Sequence, residues 1–166
     1  MFNLSRSCAI TALLFSFAVS SSAQRKVTIK SGTIIPLESV KEVRGANADE
    51  GEIVDFKVTR DLLVNDVVAI PAGTIAKGRV YEAKRSTAFG TRGRLGIKIN
   101  NLTTPSGEVV NFASSEVYIK GANRTAASVV VFLFTLLPFP CGGKAVMRAG
   151  YETEATVASN TTITVE

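Results

Sequence analysis

The sequence predicts an all-β protein, either a small antiparallel barrel or a barrel-like sandwich. Apolar and polar residues alternate with a period of two in many short segments, which places one side of each strand on a core and the other in water. Clusters of Gly, Asn, Asp, Pro and Ser separate these segments, and such residues form turns. The chain has 166 residues, 46% of them hydrophobic, which is enough to form one hydrophobic core without disulfide bonds.

The alternating segments follow one another along most of the chain. One of them has Ala76, Gly78 and Val80 on its apolar side. Because glycine weakens a strand unless a bend or a close approach is needed, this segment favours a tight barrel over a flat sandwich. The predicted strands include residues 27–29, 54–58, 76–80, 95–99, 117–120, 153–157 and 163–165.

A turn pattern recurs between the predicted strands. Residues 68–74 and 145–151 share a large apolar residue, two further residues, a glycine and then a strand, and residues 29–33 are a third copy. Such a pattern indicates a tight turn that leads into the next strand. Two interpretations stay open, a barrel built from two duplicated halves and the reuse of one good turn.

Residues 126–139 break the alternation because they form a run of 14 residues without a charge. The run is shorter than a bilayer span, so we predict a short apolar hairpin or helix inserted into the barrel domain. It is either buried at one end of the barrel, exposed as a projection that contacts a membrane or a partner, or a second membrane anchor. The predicted contact residues are Val131, Phe132, Phe134 and Leu136.

The first 23 residues are typical of a secretory signal peptide. Arg6 precedes an apolar stretch, and small residues follow at 20–23; the alternative is an uncleaved anchor. We therefore predict a single domain at 24–166 that is exported to the periplasm or the cell envelope. Removal of the leader leaves Cys141 as the one cysteine, so no internal disulfide is expected.

Composition also limits the chemistry. The chain contains no histidine, which excludes a Ser-His-Asp triad, an HExxH zinc site and a histidine general base. We expect a protein that is not an enzyme and that has no cofactor and no metal. The alternative is an exported hydrolase that uses carboxylates such as Asp55 or Asp61, or the Cys141 thiolate.

Basic residues are concentrated in the predicted hairpin 77–98, where Glu82 is the one acidic residue among seven cations. One interpretation is a solvated hairpin whose cations discourage pairing at the sheet edge. The other is a binding site for a polyanion or a lipid headgroup. We expect no nucleic-acid partner because the protein is predicted to be exported. The predicted anion-binding residues are Lys84, Arg85, Arg92 and Arg94.

Several segments carry a resemblance to known proteins. Residues 31–37 (SGTIIPL), 51–58 (GEIVDFKV) and 66–74 (DVVAIPAGT), followed by Arg94-Leu95 and Pro105-Ser106-Gly107, occur in this order. The order resembles small exported β-barrel proteins of Bacteroidetes and, more remotely, the C-terminal barrel of TrbI-like subunits of type IV secretion and conjugation systems. The resemblance implies a barrel without catalytic residues, and it gives residues 126–139 the place of a helical hairpin that contacts the outer membrane.

Taken together, these observations predict an exported, non-enzymatic β-domain. We expect its partner to be a protein or another envelope component, with contact to a membrane surface. An anion-binding module that uses residues 77–98 is the alternative function.

Overall fold

The computed structural model describes residues 25–87, 91–122 and 142–165, and every regular element in these ranges is a β-strand. This confirms the predicted all-β class. The predicted leader at 1–23 and the predicted insertion at 126–139 lie outside the described residues. The strands, numbered β1 to β12, are Arg25–Ile29, Ile34–Ser39, Val43–Arg44, Ile53–Val58, Leu62–Val64, Val67–Ile70, Ile75–Lys84, Arg94–Thr103, Val109–Lys120, Val146–Met147, Glu152–Val157 and Thr161–Val165.

Six of the strands form a closed antiparallel barrel, in the order β11-β2-β4-β7-β8-β9. The last strand, β9, pairs again with β11 and closes the sheet. The prediction of a barrel is therefore confirmed. The other strands form three two-stranded units, which are β1 with β12, β5 with β6, and β3 with β10.

The barrel interior is filled by the apolar side of each alternating strand. In β4, Val54, Phe56 and Val58 are buried, whereas Asp55 and Lys57 between them are exposed. Burial of each such side chain stabilises the fold by about 1.5–3 kcal/mol. The barrel therefore has a packed core rather than an internal channel, as expected for a barrel of few strands.

Strand β7 confirms the inner face that the sequence predicted. Ala76, Gly78 and Val80 all face the core. A Cβ atom on Gly78 would lie 2.9 Å from the ring of Phe56, so glycine leaves the space that this ring occupies. The pairing of β7 with β8 shifts register beside Gly78 and again before Glu82, and such bulges bend strands as barrel closure requires.

The predicted turn pattern is a repeated structural unit. Each copy is a four-residue turn that starts just after the apolar position of the pattern. The third residue of the turn is a glycine with φ between +78° and +94°, a region that other residues enter at a cost. The fourth residue donates a hydrogen bond to the first carbonyl, and the glycine N–H donates to the carbonyl of a residue on the adjacent barrel strand. Four of the six barrel strands begin after such a turn, at residues 30–33, 49–52, 71–74 and 148–151.

One end of the barrel, which we call the closed end, is covered by the β1–β12 ribbon and the β5–β6 hairpin. These two units contact each other, and Ile29, Ile70 and Ile163 are fully or almost fully buried there. At the opposite end the cover is the short β3–β10 pair, with Val43 and Met147 buried beneath it. In the described residues, the two ends therefore differ in the length of the paired strands that cover them.

Candidate functional site

The four predicted anion-binding residues lie together at the end opposite the closed end. Lys84 is the last residue of β7 and faces Arg94, the first residue of β8. Arg85 and Arg92 follow in the connection between these strands. All four side chains line one surface depression of ≈ 530 Å³, together with the hydroxyl-bearing residues of the loop. The structure thus brings the four residues to one place, and anion binding by them stays a prediction.

Three further cations extend this group. Lys120, at the end of β9, faces Arg94, so that Lys84, Arg94 and Lys120 form one row across three strands. Lys144 and Arg148 lie with Lys120 around a second depression of ≈ 640 Å³. We call this part of the molecule the basic end, and its cations are Lys84, Arg85, Arg92, Arg94, Lys120, Lys144 and Arg148.

The charge of the basic end is balanced mainly at one position. Glu82 accepts a hydrogen bond from the Tyr118 hydroxyl (2.9 Å) and lies 3.4 Å from Arg94 and 3.6 Å from Lys84. The Tyr118 hydroxyl and the adjacent cations lower the pKa of Glu82, and the same carboxylate raises the pKa of Tyr118. Among the described residues, Glu82 is the one carboxylate within 4.0 Å of any of these seven cations.

Tyr118 also contacts a cation of the row directly. The Lys120 ammonium lies 4.8 Å from the centre of the Tyr118 ring, a distance at which the ring face attracts a positive charge. Lys120 is therefore held over the Tyr118 ring on the outer surface of β9. This contact orders one lysine of the basic end without neutralising its charge.

Three glycines make close backbone contacts with one another at the basic end. Gly93 donates a hydrogen bond to the carbonyl of Gly143 (3.0 Å), and Gly121 donates to that of Gly93 (3.0 Å). A Cβ atom on Gly121 would lie 1.9 Å from the Gly143 oxygen, so a side chain cannot be added without moving the backbone. We call these three residues the glycine stem.

The glycine stem marks where the apolar run joins the barrel. The described chain stops at Ala122 and resumes at Gly142, and both positions adjoin the stem. The two described residues that flank the segment 123–141 therefore both lie at the basic end. The predicted contact residues Val131, Phe132, Phe134 and Leu136 lie outside the described residues.

The two carboxylates named for the alternative hydrolase, Asp55 and Asp61, have separate surroundings. Asp61 accepts a hydrogen bond from the N–H of Ala72 (2.7 Å) and so stabilises the turn before β7. Asp55 is exposed on the outside of β4, opposite Lys77. Cys141 lies outside the described residues. In the ranges that the structure covers, no three acidic or cysteine side chains converge as metal ligands would.

A further cavity of ≈ 540 Å³ lies at the closed end, beside Glu108. Glu108 accepts hydrogen bonds from the N–H of Thr164 (3.0 Å) and the hydroxyl of Thr104 (3.0 Å). Desolvation raises the pKa of Glu108, but these hydrogen bonds outweigh it and the pKa is lowered. Ser106 donates to the carbonyl of Thr164 (2.5 Å). These contacts attach the β8–β9 turn to β12, which is a structural role.

The sequence pattern identifies the basic hairpin but not Lys120, Lys144 and Arg148. Each of these is a single cation in its own segment, and only strand pairing brings them to the hairpin. The period-two pattern does place Lys120 on the outer face of its strand. No local signal shows which strand lies next to it.

No protein-family model matches this sequence, and no curated protein matches it. The fold is similar to the solved structure of ComB10 of the Com type IV secretion system of Helicobacter pylori. The identity is 13%, the TM-score is 0.44, and the match covers 80% of this chain and 88% of that chain. The Bacteroidetes source and the export stay predictions. No helix of the length and hydrophobicity that a membrane crossing requires occurs in the described ranges.

Proposed function

We propose that this protein is an exported, non-enzymatic binding domain of the cell envelope, and that it contacts a protein partner through its basic end. The observation that carries the proposal is the convergence of seven cations from separate strands and loops, with Glu82 as the one carboxylate within 4.0 Å of any of them among the described residues. A packed barrel interior leaves the surface as the place of function. The seven cations form a charged region on that surface.

The arrangement of the cations supports a binding role over a purely solvated edge. Lys84, Arg94 and Lys120 face one another directly across three strands. Like charges opposite each other destabilise a sheet, and in the part of the chain that the structure describes the repulsion is offset by Glu82 and by the Tyr118 ring. An anionic partner would remove this repulsion on binding, and its approach would be accelerated by the field of the cations.

The test is cross-linking in intact cells followed by fractionation of the envelope. We compare wild type with the variant Arg85→Glu/Lys144→Glu, since neither residue has a carboxylate partner among the described residues. The control is Lys26→Glu/Lys30→Glu, which makes the same change in net charge near the closed end. We expect the first variant to lose the cross-linked partner and the control to keep it. Equal loss in both variants, or a freely soluble wild type without a partner, would contradict the proposal.

The second candidate function is binding of a polyanion or a lipid headgroup by Lys84, Arg85, Arg92 and Arg94. It is favoured by their position around one depression that Thr87 and Thr91 also line. Hydroxyl groups and cations are the donors that phosphate groups accept from.

This candidate is tested with the purified protein and lipid vesicles. We expect binding to vesicles that contain phosphatidylglycerol, none to phosphatidylcholine alone, and a weakening of about tenfold or more when Arg85 and Arg92 become glutamate. Vesicle binding that does not weaken as the salt concentration rises would contradict this second candidate function. Partner cross-linking without vesicle binding would leave the first candidate alone.

A further inference from the structure

The barrel is incompletely paired between β9 and β11. These two strands are in register only at Ala113 with Thr156 and at Phe112 with Val157. Strand β9 nevertheless continues to Lys120, and β11 begins at Glu152. Among the described residues, the facing edges of the two strands between these points have no register partner. We call this part of the barrel the β9–β11 gap.

The gap begins at Ser115. Its hydroxyl accepts a hydrogen bond from the N–H of Thr156 (3.0 Å) and donates to the carbonyl of Ala113 (3.0 Å). A side chain therefore takes the place where main-chain pairing would continue. Beyond this point β9 remains paired with β8, while β11 remains paired with β2.

Hydrogen-bond alternation shows which main-chain groups are directed into the gap. On β11, Tyr151 and Val157 bond to the chain on the β2 side, so Glu152 and Glu154 direct their main-chain groups the other way. On β9, Gly121 bonds to Gly93 on the β8 side. The residues at 116, 118 and 120 then present their N–H and carbonyl groups to the gap. Two strand edges thus face each other across it.

Cations surround the mouth of the gap. Lys120, Lys144 and Arg148 line the depression of ≈ 640 Å³ between the end of β9 and the start of β11. The half-buried side chains of Ile119 and Val146 form apolar lining. No acidic residue lines the depression among the described residues, whereas the strands that border the gap carry the exposed residues Glu116, Glu152 and Glu154. The depression therefore combines main-chain groups, apolar surface and positive charge.

We propose that the β9–β11 gap binds an extended acidic segment of a protein partner by strand addition. The main chain of the segment pairs with the edge of β9, and its carboxylates contact Lys120, Lys144 and Arg148. In strand addition, main-chain hydrogen bonds supply affinity and alternate side chains supply specificity. This inference rests on the proposed function, because it names the chemistry of the partner at the basic end.

The experiment uses a fluorescent peptide of alternating glutamate and valine residues and follows its anisotropy with the full chain. The matched control is the same peptide with alternate backbone nitrogens methylated, which keeps every charge but removes hydrogen-bond donors. We expect the methylated peptide to bind about tenfold more weakly or worse. We also expect the unmethylated peptide to slow amide hydrogen exchange of residues 116–120.

Charge variants locate the site. Lys144→Glu/Arg148→Glu is expected to weaken binding of the unmethylated peptide by about tenfold or more, and Arg85→Glu/Arg92→Glu by about threefold or less. Amide exchange of the variants without peptide confirms that each is folded. Equal effects of the two variants would contradict the location that we propose.

The outcomes separate this inference from the proposed function. Equal binding of both peptides, without slower exchange at 116–120, would overturn strand addition. Absence of peptide binding while the cross-linked partner is retained would also overturn it, and the proposed function would stand. If the closed-end control Lys26→Glu/Lys30→Glu loses the partner cross-link to the same extent as Arg85→Glu/Lys144→Glu, the proposed function is contradicted.

Discussion

The two ends of the barrel are built by different means. At the closed end, the β1–β12 ribbon and the β5–β6 hairpin supply apolar side chains, and Glu108 and Ser106 bond the main chain of Thr164. At the basic end, the β3–β10 pair is two residues long on each side, and the glycine stem joins loops by backbone contact. Buried apolar side chains occur at both ends, with Val43 and Met147 at the basic end, but only the basic end also carries a group of long cationic side chains on the surface of the described residues.

The largest expected effect is in the barrel core. Phe56 is fully buried and its ring lies against Gly78. Phe56→Ala removes this ring and leaves a cavity, so we expect a loss of about 3–5 kcal/mol in the free energy of unfolding. Urea denaturation measures it. Tyr151→Ala at the exposed basic end is the comparison, with an expected change within about 0.5 kcal/mol. Similar losses of unfolding free energy in Phe56→Ala and Tyr151→Ala would contradict the account that the buried core contributes more stability than the exposed basic end.

A smaller effect is expected at the glycine stem. In Gly121→Ala the new methyl group would meet the Gly143 oxygen, and the backbone must move. We expect a loss of about 1–3 kcal/mol, as for other overpacked sites, together with faster amide exchange at Gly93 and Gly121. The neighbouring exposed residue supplies the control, since Ala122→Ser should change stability by less than about 0.5 kcal/mol. Unchanged exchange in Gly121→Ala would refute the role of the stem.

Much of this comparison could be predicted from the sequence, because alternation is a local property. Residues 54–58 and 76–80 show their inner faces directly, and the glycine turns show where strands begin. The turn at 49–52 was missed because Ala48 stands where the other copies have a larger apolar residue. The misses at the site have a different cause, because they depend on strand register rather than on local residue types.

The position of Arg94 opposite Lys120 shows why register cannot be predicted from the sequence. The two residues lie in separate segments, and only the β8–β9 register sets them opposite each other. The β9–β11 gap depends on Ser115 and its contact with Thr156, which no periodicity reveals. A carboxylate such as Asp61 looks like a catalytic candidate in a sequence, whereas in the fold it accepts a turn N–H.

The repeated turn offers a test of the feature that both ends share. Gly73 precedes β7 at the closed end, and Gly150 precedes β11 at the basic end. Both have positive φ, and a Cβ atom added to either would have no heavy atom beyond the adjoining residues within 4 Å. Alanine at either position should therefore cost only backbone strain, about 1 kcal/mol. Thermal unfolding of the single and double variants measures it. We expect additive losses, since the sites are far apart; a clearly larger loss at one end would show that the two copies differ in role.

The smallest expected effect is on the pH dependence of stability. Hydrogen bonds lower the pKa of Glu108 in the folded protein. Its stabilisation is therefore present above the ordinary glutamate pKa of about 4.3, and it is lost as pH falls through the lowered value. We expect Glu108→Gln to reduce the loss of stability between about pH 6 and pH 3, measured by urea midpoints. Glu82→Gln should act in the same direction at the basic end. A pH profile identical to wild type in both variants would contradict this account.

The β1–β12 ribbon has a consequence for how the domain can be held. Arg25 and Val165 are register partners, so both extremities of the described chain emerge side by side, on the side remote from the cations. A tether or an immobilisation tag placed ahead of Arg25 would therefore point the cationic surface outward. The same proximity would let a short linker join the extremities, and a circular permutant opened in an exposed loop should keep the barrel intact.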